Sequence, residues 1–325
     1  MGSKYKYYAT HSYSYPLMSS SASWRQHPRV AGAAVAITGL IVLLVEFNSS
    51  GTRMTSSSSW KKSPYPRAEL RGTKTMDLWY DEHEDQIKHS RILEAEGDAT
   101  LVFLGDSITQ GWRHGAFSTR DPTLNGKAKP KEAKLFEERF SRKEFSQSLP
   151  HIWAIGGDKV GDLAWRLTHG LGTVPVNPKV FVLMIGTNDI KDPTAARAKD
   201  VANAVLKSVV NRLKSIWPRA DVLLLGLLPR APREFPITSE SEAWDETNPY
   251  YGPIKEINER LEKAVEHDPV VTFVDCGQGF LSSDGSRLPR ETMSDYLHPS
   301  LEGYRVLADC IEPVVLQVVS TKRHA

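Results

Sequence analysis

The sequence predicts an α/β protein of three layers, in which helices cover both faces of a parallel sheet of roughly five strands. Apolar, β-branched runs of strand length alternate with amphipathic helical stretches, and several of the runs end in polar turns. The composition, 40% hydrophobic and 25% charged, allows an ordinary folded domain with a sizeable core. One hydrophobic helix is predicted to precede this domain near the N-terminus.

The predicted domain covers residues 76–325. The long, Lys-rich stretch 113–150 interrupts it and is expected to be a solvated surface insertion with one helix, or else a lid over a site. Strands are predicted at Thr100–Leu104, His151–Ile155, Lys179–Ile185, Asp221–Leu227 and Val270–Asp275, and helices at Asp77–Glu96, Asp158–Thr168, Ala195–Ile216, Tyr251–Glu266 and Pro299–Val319.

The first 75 residues are predicted to lie outside the domain. Residues 1–29 are interpreted as a disordered basic tail, 30–47 as a transmembrane signal anchor and 48–75 as a flexible stem. The uncharged run Val30–Val45 favours a single-pass membrane protein, in the endomembrane system or the plasma membrane. A cleavable signal peptide or an organelle transit sequence remains as an alternative, and either would make the protein secreted or organelle-targeted.

Charge and cysteine usage exclude several kinds of site. Residues 1–75 carry ten Lys and Arg against two Glu, whereas 76–325 carries a net charge of −6. A mildly acidic domain gives no electrostatic reason to expect a nucleic-acid partner. Cys276 and Cys310 each lie in or beside an apolar run, so we expect two buried free thiols, with a disulfide between them as the alternative. Their spacing resembles no metal site, and the sequence predicts neither a metal nor a cofactor.

A serine stands where the first predicted strand ends. The run Thr100–Leu104 is followed by Gly105, Asp106 and Ser107 and then by a helical pattern, which delivers the serine to the carboxyl end of a strand. The start of the next helix favours negative charge at the same place. Since Gly-Asp-Ser is also a good turn and N-cap sequence, Asp106 is expected to brace the turn.

Two further segments point to the same chemistry. Asp295 precedes His298 by three residues, so its carboxylate can fold back and hold the imidazole, as the acid of a hydrolase holds its base. An imidazole held in this way takes the proton of a serine hydroxyl. Another strand ends at Asn188 and Asp189, which adds an amide donor at a strand end. The three segments together predict hydrolysis through a serine nucleophile.

The chain resembles the SGNH (GDSL-type) hydrolase family over roughly residues 98–319, most of all the catalytic alpha subunits of platelet-activating-factor acetylhydrolase. That family has a flavodoxin-like three-layer fold, as the strand pattern also predicts. The resemblance is carried by FLGDS at 103–107, IGGD at 155–158 with WRL at 165–167, LGLLPR at 225–230, GF at 279–280 with SDG at 283–285, and YLH at 296–298.

The resemblance implies a role for five residues. The nucleophile falls on Ser107, with Asp295 as acid and His298 as base. The oxyanion hole falls on the backbone N–H groups of Ser107 and Gly157 and on the amide of Asn188. Relative to the acetylhydrolases, this chain has the insertion at 113–150, Asp at 189 in place of Asn, and the N-terminal anchor. The resemblance also implies a homodimer.

The function predicted is therefore a serine esterase that removes short acyl groups, most of all acetyl, from a small-molecule ester such as a lipid or an acetylated sugar. Ile108 and Leu297 adjoin the nucleophile and the base in sequence, so they are expected to bind substrate by narrowing the acyl pocket, unless both pack into the core. A carbohydrate O-acetylesterase, a lysophospholipase or thioesterase, and a non-catalytic binding protein of the same fold are the alternatives.

Overall fold

The computed structural model describes residues 74–96, 101–113, 129–141, 150–193, 197–232 and 243–322. The predicted tail and anchor lie outside these residues, as does the predicted stem up to residue 73. Much of the 113–150 insertion also lies outside them. In the described ranges, no helix is both long enough and apolar enough to span a membrane.

In the part of the chain that the structure describes, the strands form one parallel sheet in the order β2–β1–β3–β4–β5. The predicted parallel sheet is confirmed, with strand ends within a few residues of those expected. Because β1 lies between β2 and β3, the sheet grows in opposite directions from this point, and such a switch point is where open α/β sheets bind ligands. The strands are β1 Leu101–Gly105, β2 His151–Ala154, β3 Val180–Met184, β4 Asp221–Leu225 and β5 Val271–Val274.

The helices differ from the prediction in two places. The helix predicted at Ala195–Ile216 contains a π-helical turn at Val205–Val210, and the last helix begins at Leu301, two residues after Pro299. The helices are α1 Lys74–Glu96, α2 Ser107–Gln110, α3 Pro130–Phe140, α4 Val160–Thr168, α5 Ala198–Ala204, α6 Asn211–Ile216, α7 Tyr251–Val265 and α8 Leu301–Lys322.

Side chains on each buried strand alternate between two core clusters, one on each face of the sheet. On β1, Val102 and Leu104 belong to the cluster that includes α4, α5, α6 and α7, whereas Leu101 and Phe103 belong to the cluster with α3 and α8. This alternation follows from the two-residue period of a strand. The chain therefore folds as three layers, with the sheet in the middle.

Helix α3 shows that part of the 113–150 insertion belongs to the core. Phe136 and Phe140, four residues apart on one face, each pack with a ring-centroid distance of 5.0 Å against Phe103 of β1. Arg139 of the same helix forms ion pairs with Asp309 and Glu312 of α8. The one helix expected within the insertion is present; its two aromatic residues are buried against the domain, and its other residues are exposed or half-buried.

Cys276 and Cys310 form a disulfide, so the expectation of free thiols is wrong. Cys276 follows β5 and Cys310 lies on α8, and their Cα atoms are 5.9 Å apart. Cys276 belongs to the core cluster on the α8 side of the sheet, and Cys310 packs against that cluster. The apolar surroundings of each cysteine are visible in the sequence, but the packing of α8 beside the end of β5 is not.

Candidate active site

The turn from β1 to α2 presents Ser107. Asp106 caps α2, and its Oδ1 accepts the N–H of Ile108 at 2.9 Å. A Cβ at Gly105 would lie 2.4 Å from the carbonyl oxygen of Met184, so only glycine allows β1 to pass that close to β3. The hydroxyl of Ser107 is thereby placed at the switch point, at the N-terminus of a helix.

Ser107, His298 and Asp295 form one chain of hydrogen bonds. Nε2 of His298 lies 2.9 Å from Oγ of Ser107, and Nδ1 lies 2.8 Å from Oδ2 of Asp295. With the ring proton on Nδ1, His298 donates to Asp295 and Nε2 accepts from the serine hydroxyl. The side chains of His298 and Asp295 are 28% and 33% exposed, so this chain lies at the protein surface where a substrate can reach it.

Asp295 is held by the turn that it starts. Its Oδ1 accepts the backbone N–H groups of Leu297 and His298, at 3.1 and 2.7 Å. Burial by itself would raise the pKa of Asp295, but the hydrogen bonds from the His298 ring and backbone outweigh it and hold that pKa well below its usual range. Asp295 therefore stays ionised. Tyr296, at φ +56°, takes the left-handed conformation inside this turn.

Backbone and amide N–H groups lie at the ends of the neighbouring strands. Gly157, just after β2, has φ +78°, a conformation that glycine adopts without strain. Within the described residues, neither the backbone N–H of Gly157 nor that of Ser107 has a hydrogen-bond acceptor. Asn188, just after β3, donates one amide N–H to the carbonyl oxygen of Asp158 at 3.0 Å, which leaves its second N–H available.

Three aspartates lie beneath this surface, and two have raised pKa values. Burial raises the pKa of Asp106 to about 7, and the nearby Asp158 and Asp189 add to the rise. Burial also raises the pKa of Asp189 to about 6, although its Oδ2 accepts the N–H of Val160 at 3.0 Å. Among the described residues, no group of three or more His, Cys, Asp or Glu could hold a metal ion.

Sequence reasoning missed Arg230, which joins two of the site loops. Its guanidinium is buried and donates to the carbonyl and hydroxyl oxygens of Thr187, at 3.0 and 3.2 Å, next to Asn188. The following residue, Ala231, donates its N–H to the carbonyl oxygen of Tyr296 at 3.0 Å. In the sequence, its one signal is its place at the end of the LGLLPR motif, just after a predicted strand.

The two residues expected to line an acyl pocket are both buried. Ile108 is 3% exposed and belongs to the core cluster with α3 and α8. Leu297 is 7% exposed and lies in the turn between Asp295 and His298. A separate cavity of about 390 Å³ lies between α7 and the ends of β4 and β5, and neither Ser107 nor His298 lines it. The acyl-pocket role of Ile108 and Leu297 stays a prediction.

A serine hydrogen-bonded to a histidine that an ionised aspartate orients, at the switch point of a parallel α/β sheet, is the arrangement of a serine hydrolase. The chain matches the model of the GDSL-like lipase/acylhydrolase family over residues 103–306, and it belongs to that family. It is an ester-hydrolysing enzyme, and the resemblance inferred from the sequence is confirmed.

Proteins that are similar to this chain in sequence or fold agree with this assignment. The chain is similar to human platelet-activating factor acetylhydrolase IB subunit alpha1, at 25% identity over 267 residues, which covers 82% of this chain and 94% of the relative. It is also similar to the rat alpha2 subunit, at 26% identity over 256 residues, covering 79% and 90%. A GDSL-like lipase from Bacteroides thetaiotaomicron shares the fold, with a TM-score of 0.51, 19% identity, and coverage of 72% and 97%.

Proposed function

We propose that the protein is a serine esterase that removes short acyl groups, with acetyl esters preferred. The observation that carries the proposal is the chain of hydrogen bonds from Ser107 through His298 to Asp295. Ester hydrolysis is the activity of the family, and the names of both relatives are those of acetylhydrolases, which supports the acetyl group.

In the acylation step, Oγ of Ser107 attacks the carbonyl carbon of the ester while Nε2 of His298 takes the hydroxyl proton. The carbonyl oxygen becomes an oxyanion. When the tetrahedral intermediate collapses, the bond to the alcohol oxygen breaks, and His298 gives its proton to that oxygen. The alcohol leaves and the acyl group stays on Ser107. Asp295, which is ionised, stabilises the imidazolium formed during this step.

Three N–H donors are proposed to bind the oxyanion: the backbone N–H groups of Ser107 and Gly157, and the second amide N–H of Asn188. The backbone donors are available and the amide is already oriented by its bond to Asp158, so little reorganisation accompanies the reaction. One such donor lowers a barrier by about 2.7–4 kcal/mol in other enzymes. Water then attacks the carbonyl carbon of the acyl-enzyme while His298 takes a proton from it. The bond from that carbon to Oγ breaks, His298 gives the proton to Oγ of Ser107, and the carboxylic acid leaves.

Labelling by a fluorophosphonate probe tests the proposed nucleophile. Ser107→Ala should abolish labelling and nearly all hydrolysis of p-nitrophenyl acetate, because no other group carries the attacking oxygen. Ser282→Ala is the control, since that hydroxyl lies outside the site and donates to Asp284, and it should label like the unmodified protein. Full labelling of Ser107→Ala would refute the assignment.

His298→Ala and Asp295→Asn should each lower turnover by a few orders of magnitude, with His298 affected at least as strongly because it moves the proton. Asp295→Asn with the unmodified rate would mean that another group orients the imidazole.

The alcohol half of the substrate is decided by a panel of esters that varies acyl length and alcohol. Preference for acetylated sugars would favour the carbohydrate O-acetylesterase alternative, and preference for long acyl chains would favour a lysophospholipase or thioesterase.

We also propose that residues 30–47 anchor the enzyme in a membrane and that it forms a homodimer. Carbonate extraction of membranes and light scattering of the domain test these two proposals.

A further inference from the structure

We infer that Trp79 of α1 is a positioning residue for the oxyanion hole, acting through the buried pair of Asp158 and Arg166. The inference rests on the proposed function, because it concerns the two donors assigned above to Gly157 and Asn188. Helix α1 lies before the residues 103–306 that match the family model, so membership of the family does not assign this role.

Trp79 contributes one of the bonds that hold Asp158. Its indole Nε1 donates to Oδ1 of Asp158 at 2.7 Å. Oδ2 of the same carboxylate accepts hydrogen bonds from Nε and Nη2 of Arg166, at 2.9 and 2.8 Å. All three residues are 0% exposed. An ion pair removed from water in this way is strongly destabilised when a partner is lost, so the carboxylate depends on each donor for its place.

Asp158 in turn sets the position of both proposed oxyanion donors. It directly follows Gly157, and its own N–H donates to the carbonyl oxygen of Ile155 at 3.1 Å, which closes the turn that contains Gly157. Its carbonyl oxygen accepts the amide of Asn188 at 3.0 Å. A displacement of Asp158 therefore moves the Gly157 N–H and releases the Asn188 amide together.

A second residue of α1 supports the same pair from the other side. Oε1 of Gln86 accepts Nη1 of Arg166 at 3.0 Å, and Nε2 of Gln86 donates to the carbonyl oxygen of Ala154 at 2.8 Å. Helix α1 thus contacts both the guanidinium and the carboxylate of the pair. By holding this pair, α1 positions donors that bind the substrate oxygen only in the transition state. Loss of the hydrogen bonds from α1 should therefore lower kcat and leave KM nearly unchanged.

Trp79→Phe in the full-length protein tests the inference, because it keeps an aromatic ring and removes only the N–H donor. With p-nitrophenyl acetate, we expect kcat to fall roughly tenfold, as small displacements of reacting groups do, with KM within about twofold. Trp217→Phe is the matched control: Trp217 is also buried, and its indole donates to the carbonyl oxygen of Val176 at 3.0 Å, not to Asp158 or to a residue of α1. Its kcat should stay within about twofold of the unmodified value.

A double-mutant cycle with Asn188→Ala separates positioning from general destabilisation. If Trp79 acts on the oxyanion donors, Trp79→Phe should lower kcat by less in the Asn188→Ala background than alone. Rates are normalised to active sites titrated with the fluorophosphonate probe, so loss of folded protein does not imitate the effect. Fully additive effects, an unchanged kcat in Trp79→Phe, or an equal loss in Trp217→Phe would each overturn the inference.

If Trp79→Phe does not fold, Gln86→Met carries the test, since it removes the support of Arg166 while the bond from Trp79 to Asp158 remains. We then expect a smaller loss of kcat that is again non-additive with Asn188→Ala, and an additive loss or none overturns the inference. Failure of the proposed function is distinct, because it would appear as labelling and hydrolysis that persist in Ser107→Ala.

Discussion

At the scale of the residue, Ile108 and Leu297 are both buried, but their surroundings differ. Ile108 packs among the core residues between the sheet and α8, whereas Leu297 lies in the turn between Asp295 and His298. Leu297 is also outside the core clusters that the described residues form. Of the two, Leu297 is therefore the better candidate for a wall of the acyl pocket.

We predict that Leu297→Ala shifts preference toward longer acyl chains, because removing the side chain relieves a clash with added methylenes. Ile108→Ala should instead cost about 2–5 kcal/mol of unfolding free energy, as a core truncation does, with an unchanged ratio of acetyl to hexanoyl hydrolysis. The measurements are kcat/KM for acetyl, hexanoyl and octanoyl esters, and Tm. Equal or better hydrolysis of octanoyl esters by the unmodified enzyme would contradict the short-chain preference.

Asp106 makes the stability of the domain depend on pH. Burial raises its pKa from an ordinary 3.8 to about 7 in the folded state. Between these values the folded protein holds up to one more proton than the unfolded chain, so the unfolding free energy falls as pH rises, by at most about 1.4 kcal/mol per unit. Asp106→Asn keeps an oxygen for the Ile108 N–H, and we predict a flatter profile from pH 4 to 7 and higher stability at pH 8.

Urea unfolding at several pH values checks this prediction. A residual slope of the same sign is expected from Asp189, whose pKa burial raises to about 6. Asp284→Asn is the control: hydrogen bonds from the hydroxyls of Ser282 and Ser286 lower the pKa of this exposed carboxylate to about 2. Its contribution would be lost only below pH 4, so its profile from pH 4 to 7 should match that of the unmodified protein. An unchanged slope in Asp106→Asn would refute the prediction.

The site residues that the sequence could indicate are those next to a strand end or to each other. Ser107 and Asn188 follow apolar runs, and Asp295 and His298 are three residues apart, so local spacing predicts where they lie. Trp79 and Arg230 could not be found in this way. Their partners are 79 and 43 residues distant, and only the packing of α1 and of the chain after β4 brings them together.

At the scale of the element, the disulfide joins the end of β5 to α8, the helix that follows Asp295 and His298. It closes a segment of 34 residues that includes Asp295 and His298. A cross-link of this kind stabilises a domain by about 2–4 kcal/mol, largely through the unfolded state. The site loop is thus tied at both of its ends to the sheet and to the last helix.

We predict that Cys276→Ala with Cys310→Ala lowers Tm by roughly 5–15 °C, because about 2–4 °C is lost per kcal/mol in a domain of this size. The kcat should change little, since neither cysteine takes part in the chain of hydrogen bonds from Ser107 through His298 to Asp295. Addition of dithiothreitol to the unmodified protein should lower Tm by the same amount. An unmodified protein with two titratable thiols and no response to reductant would contradict the bond.

The elements themselves were largely predictable, because strands buried on both faces are continuous apolar runs and most helices have one apolar face. The exceptions have physical causes. The π-helical turn at Val205–Val210 leaves the apolar periodicity almost unchanged, so the pattern predicts an uninterrupted helix. In α3, Phe136 and Phe140 are separated by charged residues, and the surrounding Lys-rich stretch favours a surface segment even though both rings are buried.

At the scale of the whole molecule, the site collects residues from separate parts of the chain at one edge of the sheet. Ser107 follows β1, Gly157 follows β2 and Asn188 follows β3, while His298 precedes α8. Parallel strands bring these carboxyl ends to the same edge, and the reversal at β1 opens the crevice between them. Helix α1, which precedes all the strands, contacts the buried pair of Asp158 and Arg166, and Asp158 directly follows Gly157.

This organisation determines where the chain can be shortened. We predict that full-length protein stays with membranes after alkaline carbonate washing, because of the uncharged run at 30–45. A chain that begins at residue 70 keeps all of α1, so it should be soluble and retain the kcat of the full-length enzyme. A chain that begins at residue 98 lacks α1, which leaves the buried pair without two of its hydrogen bonds and uncovers the apolar surface of Ile155 and Trp165.

The shorter chain should therefore be insoluble, or should lose at least about tenfold in kcat on a per-active-site basis. Sedimentation, probe titration and ester hydrolysis measure the three proteins side by side. Full kcat in the chain from residue 98 would show that α1 does not support the site. Soluble full-length protein, or a mature N-terminus close to residue 51, would replace the anchor by a cleaved targeting segment and leave the interpretation of α1 untouched.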